Sequence, residues 1–151
     1  MRFINRYEYL IGVGQPEWRK IDQESVFARH CQTVLAHDAH NVVVVGTNDQ
    51  DIVRAVKELE RMRGGQVAIA NGKVEAALPL PIAGLVSDQP LETVIERISE
   101  LNSAAGKLGC RLAAPFMTLS FLSLSPIPEL KLTDQGLVDA VNMKLTSVIA
   151  D

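Results

Sequence analysis

Apolar and polar positions follow two different periods along this chain, and each change of period marks an element. Residues 66–70 (QVAIA) and 73–78 (KVEAAL) alternate or run apolar on either side of Asn71-Gly72. Asn-Gly between two such runs predicts a β-hairpin with a type I′ turn, because both central residues need positive φ. A second pair of apolar runs, 33–36 and 41–46, flanks the largely polar His37-Asp38-Ala39-His40 and predicts another hairpin with that tetrad as its turn. Val42-Val43-Val44-Val45 shows no alternation, which fits a strand covered on both faces. Residues 130–133 and 137–141 around Asp134-Gln135-Gly136 predict a third hairpin.

Helical periods fill the intervals. Ile52, Val53, Val56, Leu59 and Met62 make one apolar stripe, with Thr47 and Gln50 fitting a capping box and Asn48 a competing cap. Asp49 and Asp51 suit the positive end of that helix, and Gly64-Gly65 stops it. Leu91, Val94, Ile95, Ile98, Leu101, Ala105 and Leu108 give the next helix a face expected to be buried. Ser87 or Asp88 is its expected cap, with Pro90 near its first position. Fully burying such side chains contributes roughly 1.5–3 kcal/mol each, enough for two helices to anchor on one sheet. The expected class is α/β (α+β), a two-layer sandwich whose mixed, largely antiparallel sheet is built from hairpins and carries two main helices.

Three stretches are less regular. LPLPIAGL (78–85) is apolar but holds two prolines and a glycine, so it is neither a regular helix nor a central strand and needs a surface to lie against. Residues 114–124 carry a helical spacing behind Pro115 as well as strand-favouring residues, and a short helix is the expectation. Residues 1–30 form an N-terminal segment in which Ile11-Gly12-Val13-Gly14 fits a strand or a glycine-rich turn, and residues 22–30 could supply a turn or two of helix. Residues 31–151 form the expected domain.

Composition narrows the function classes. The chain has 151 residues, 47% hydrophobic and 22% charged, with a formal net charge of −3. One globular domain is the natural size, and the interleaved charges leave no basic footprint for nucleic acid or a membrane surface. Cys31 and Cys110 lack finger or CxxC spacing and read as reduced thiols. With no secretory leader after Arg2 and Arg6 and no run long enough to span a membrane, the expectation is a cytoplasmic protein.

Candidate chemistry is sparse. His37, Asp38 and His40 are the one cluster of metal-capable groups that contains a histidine pair, with His37 and His40 as weak metal ligands and Asp38 as a third ligand or an orienting group. A solvated hairpin tip explains the same residues. Asp49 and Asp51 could form a carboxylate pair for acid–base work, but first-turn acids behind a Thr47 or Asn48 cap are the favoured reading, and Ser87-Asp88 carries the same two readings with the same preference. Ser120, Ser123 and Ser125 lack a nucleophile elbow. Phe116, Met117, Phe121 and Leu122 fit a core or an interface. No catalytic residue is assigned.

Three strings go further together than any does alone. AHDAHNVVVVGTND (36–49), LPLPIAGLVSD (78–88) and PFMTLSFLSLSPIPELKLTDQGLVD (115–139) resemble, in that order, blocks of the C-terminal domain of bacterial-type adenine deaminases of the amidohydrolase superfamily. The resemblance runs from about residue 33 to 139. It implies hydrolysis of adenine to hypoxanthine and ammonia by a water activated on iron or manganese in a barrel. The barrel's His-x-His pair is absent, and a barrel needs roughly 200 residues or more. The expectation is therefore a fragment, split subunit or free-standing relative that completes or caps a partner barrel and is not catalytic by itself. Its substrate-proximal candidates are His37, Asp38, His40, Asn41, Asn48, Asp49, Ser87 and Asp88. A purine-binding module acting alone and a homo-oligomeric structural protein are the alternatives.

Overall fold

Hairpins do form where Asn-Gly and the histidine tetrad predict them, in a computed structural model that describes residues 9–13, 31–37 and 40–147. The element order is β1 (Tyr9–Val13), β2 (Cys31–Leu35), β3 (Val42–Gly46), α1 (Asp49–Met62), β4 (Gly65–Ala70), β5 (Lys73–Pro79), α2 (Leu91–Lys107), α3 (Pro115–Ser120), β6 (Leu130–Thr133), β7 (Gly136–Asp139) and β8 (Lys144–Thr146). The first five strands make one sheet in the order β1-β3-β2-β4-β5, and the last three make a second sheet, β6-β7-β8. Only β1 and β3 pair in parallel. All other pairings are antiparallel, so the expected α+β class with a mixed, largely antiparallel sheet is the one adopted.

The larger sheet carries a helix on each face, which adds a layer to the two expected. Strand alternation sends neighbours to opposite sides. Val44, Val67 and Ile69 pack with Ile52, Ala55, Leu59 and Met62 of α1. On the other side Ala68, Ala76 and Leu78 pack with Leu101, Ala104 and Ala105 of α2 and with Phe116 of α3. Val43 joins Ala36 and Leu119 on that second side. Burial of both Val43 and Val44 explains why their strand shows no alternation in the sequence.

Several boundaries and faces differ from expectation. Val53 is 41% exposed, and Ala55 takes its place in the core. Asn48, rather than Thr47, caps α1: its Oδ1 accepts from the Asp51 backbone N–H at 2.8 Å. Neither Ser87 nor Asp88 caps α2. Pro90 is the N-cap without a side-chain bond, while the Ser87 hydroxyl and the Asp88 carboxylate accept from Gln89. Set two and three residues before the cap, they close a local turn instead of reaching the first helical N–H groups. The expected buried face of α2 is buried only in its second half, since Leu91, Ile95 and Ile98 are exposed. Strand β8 lacks a sequence signal, being three exposed residues that add to β7. The helix expected over residues 22–30 lies outside the described residues; residues 11–13 take the strand option as part of β1.

Asp51 ties the two best-formed elements together. Its carboxylate is 2% exposed as a residue and accepts from the backbone N–H groups of Asn71 at 3.2 Å and Gly72 at 2.6 Å. The Asn48 side-chain amide donates to it at 2.9 Å. Asn71 and Gly72 have φ of 51° and 74°, the left-handed pair that a type I′ turn needs, and this geometry aims both N–H groups at one carboxylate. Asp51→Ala removes an acceptor for two charge-assisted bonds at a turn that water still reaches. It is expected to destabilise the chain by about 1–3 kcal/mol in denaturant unfolding; an unchanged midpoint would refute the clamp.

Glu58, also buried, accepts from Arg61 Nε at 3.0 Å and lies 3.7 Å from the Arg54 guanidinium. The Arg61 hydrogen bond holds its carboxyl below the ordinary value of 4.5, burial opposes this, and the charges of Arg61 and Arg54 add to the lowering. A carboxyl lowered in the folded state stabilises fully above its unfolded value, and that contribution is lost as pH falls through the folded one. Glu58→Gln should therefore flatten the loss of stability below about pH 4.5, read from melting temperatures across an acid titration. Parallel acid limbs in the two proteins would show that Glu58 contributes nothing there.

Candidate functional site

The sheet has two ends, and the sequence candidates divide between them. Antiparallel pairing of Leu35 with Val42 places the β2–β3 turn at one end. Pairing of Val34 with Gln66 and of Gly65 with Pro79 brings the start of β4 and the exit of β5 to the same end. Asn48 and Asp49 follow Gly46 at the opposite end, beside Asn71-Gly72. A five-residue strand at about 3.3 Å per residue separates the two groups by roughly 16 Å. Asn48 and Asp49 thus belong with the Asp51 clamp, and His37, His40 and Asn41 with the irregular loop after β5.

At the histidine end the turn is closed by backbone bonds. Ala36 N–H donates to the Asn41 carbonyl at 2.8 Å, and His40 N–H donates to the Ala36 carbonyl at 2.9 Å. His40 has φ of 55° and is exposed. Asn41 is buried at the root of the turn. The His37 ring meets the Phe121 ring edge to face, with centroids 5.1 Å apart and planes at 78°, the arrangement favoured by the aromatic quadrupole. Phe121 follows α3, whose Leu119 packs with Ala36. Residues some eighty positions apart therefore make one surface. Phe121 was legible as an interface aromatic; its pairing with His37 was not, because nothing local in the sequence sets which ring meets the turn. Asp38 lies outside the described residues.

The loop after β5 completes this end. The Leu80 N–H donates to the Gly64 carbonyl at 3.3 Å, and Ile82 and Val86 pair through bonds of 3.0 and 3.1 Å. Gly64 is needed for the approach: a Cβ there would stand 2.3 Å from the Gly84 Cα, and its φ is +113°. The two prolines set the path of the loop and the glycines let it lie flat against the end of α1. Ser87 and Asp88 leave this loop towards α2.

Among the described residues no group of three His, Cys, Asp or Glu side chains converges, and His37 is turned against Phe121. Cys110 is a buried free thiol. No helix among the described residues is long and apolar enough to cross a membrane. This end presents an imidazole, a partly exposed phenyl ring and an apolar loop; the buried Ser123 hydroxyl, two residues after Phe121, has no hydrogen-bond partner among the described residues.

These features define a class, a small α+β domain whose histidine turn, Phe121 ring and irregular loop lie at one end of its larger sheet. Residues 31–144 match the family model of the adenine deaminase C-terminal domain, and the chain belongs to that family. Among curated proteins it is similar to an adenine deaminase of Dehalococcoides mccartyi strain 195, 59% identical over 111 residues, which are 74% of this chain and 19% of that protein. Adenine deaminases of Desulforamulus reducens and Archaeoglobus fulgidus are each 50% identical over 117 residues, 78% of this chain and 20% and 21% of those proteins. The chain spans about a fifth of the length of these relatives.

Ser123→Ala removes a buried hydroxyl that bonds to nothing among the described residues, so stability should stay within about 0.5 kcal/mol or rise. A loss of about 2 kcal/mol in denaturant unfolding would show that the hydroxyl has a partner.

Proposed function

We propose that this chain acts as the C-terminal domain of an adenine deaminase, completing or capping a metal-dependent amidohydrolase barrel that hydrolyses adenine to hypoxanthine and ammonia. The observation that carries the reading is the match of residues 31–144 to that family, supported by relatives that are named adenine deaminases and hold this domain as about a fifth of their length. Iron or manganese would sit in the barrel and activate the attacking water. The described side chains of this domain do not gather the donors for it.

In this reading the histidine end faces the barrel's opening. His37 and His40 are the groups nearest the substrate. An imidazole offers a hydrogen-bond donor and an acceptor, which suits the ring nitrogens and amino group of a purine. Phe121, braced by His37, would present an aromatic edge or face to a planar base and exclude water.

Ammonia release from adenine with added Mn²⁺ or Fe²⁺ tests this. The chain alone is expected to give none. Co-expressed with the preceding four-fifths of the D. mccartyi relative, it should give release that falls about tenfold or more when His37 and His40 are both replaced by alanine, with the complex still formed. Release by the chain alone that vanishes on the same replacement would overturn the reading and make the turn a metal site in its own right.

A further inference from the structure

The first half of α2 is an amphipathic helix whose apolar side is left largely uncovered by the described residues. Leu91, Ile95 and Ile98 stand at i, i+4 and i+7, one stripe of a helix, and are 68%, 57% and 41% exposed. Ile82 and Val86 of the preceding loop are 52% and 55% exposed. Leu80 and Val94 pack on the same cluster, around Leu101 and Phe116, so the loop and this half of the helix lie side by side. The second half of α2, through Leu101, Ala104 and Ala105, is seated on the sheet, and Val94 is the residue of the first half that packs there. Large aliphatic side chains gathered in this way on one face mark a contact surface.

The rim is acidic. Arg97 Nη1 pairs with Glu100 at 3.1 Å, and Asp88, Glu92 and Glu96 have no ion-pair partner among the described residues. Two copies meeting through this face would set acidic rims against each other, which disfavours self-association. A larger body is at hand in the matched relatives, where about four-fifths of the chain lies outside the matched segment, and the family is by description a C-terminal domain.

We infer that Ile82, Val86, Leu91, Ile95 and Ile98 form the face by which this domain docks on the preceding four-fifths of an adenine deaminase, on an apolar patch with a basic rim. The inference rests on the function proposed above and adds the surface that does the docking. The histidine end and this face adjoin, because the loop that leaves β5 at that end leads directly into α2. Docking through the stripe therefore holds His37 and Phe121 over the partner.

The full chain, tagged, is co-expressed with the preceding four-fifths of the D. mccartyi relative, and the affinity of the purified pair is measured at several salt concentrations. Ile95→Glu with Ile98→Glu alters two exposed helical positions, and circular dichroism and melting confirm the fold. Val141→Glu with Leu145→Glu, exposed residues after β7 and in β8 of the smaller sheet, is the control. The stripe variant should lose about tenfold or more in affinity, the control should stay within about twofold, and binding should weaken as salt rises. Equal binding by the stripe variant, or loss only in the control, overturns the docking face while leaving the proposed function standing. A dimer of the chain alone that the stripe variant abolishes, seen by light scattering, makes a second copy the occupant and also overturns it. No complex with the unmodified chain overturns the proposed function and this inference together.

Discussion

The carboxylate of Asp51 is the constraint on which the rest of the larger sheet depends. It sits on the first turn of α1, is capped by Asn48, and receives both N–H groups of the Asn71-Gly72 turn. A helix start and a hairpin tip are thereby fixed to each other by charge-assisted bonds, which are shorter and stronger than neutral ones. Once that end is fixed, α1 lies along β4 with Ile52, Ala55, Leu59 and Met62 over Val67 and Ile69. The opposite face of β4 is left to α2, where small residues such as Ala68 and Ala76 allow the helix to sit close.

At the far end the constraint is steric. Gly64 and Gly84 approach so closely that any side chain at Gly64 would run into the Gly84 backbone. Side-chain-free backbone at that contact is what permits an irregular, proline-containing segment to lie against the domain. Arg63 takes the left-handed position that ends α1, with φ of 63°, and the two glycines then redirect the chain into β4. The loop, the His37 turn and Phe121 end up together because three antiparallel registers and one close backbone approach place them there.

The chain joins a rigid clamp at one end to a contact-rich end at the other. This division is the one the proposed docking on a larger partner would use. The polar candidates split accordingly. Asn48 serves the clamp and Asp49 stands exposed beside it, whereas His37 and His40 remain available at the other end. The pair of buried Glu58 with exposed Arg61 belongs to the stability of α1 and lies on the helix, apart from the sheet's two groups of polar candidates.

Much of the fold was legible because its signals are local. Asn71-Gly72, the stripe of Ile52, Leu59 and Met62, and the unalternating valines of β3 each dictate an element through backbone geometry or side-chain period. The family blocks were legible as strings. What the sequence by itself determined, then, was the hairpins, the main helices, the α+β class and the kinship. It could not decide that Leu91, Ile95 and Ile98 face outward, since a helical stripe looks the same whether a sheet or a partner covers it. Nor could it pair His37 with Phe121 or make Asp51 the acceptor for a turn twenty residues on. Those contacts are set by strand register and by which face of the sheet each helix occupies, and both are properties of the assembled layers rather than of any stretch of chain.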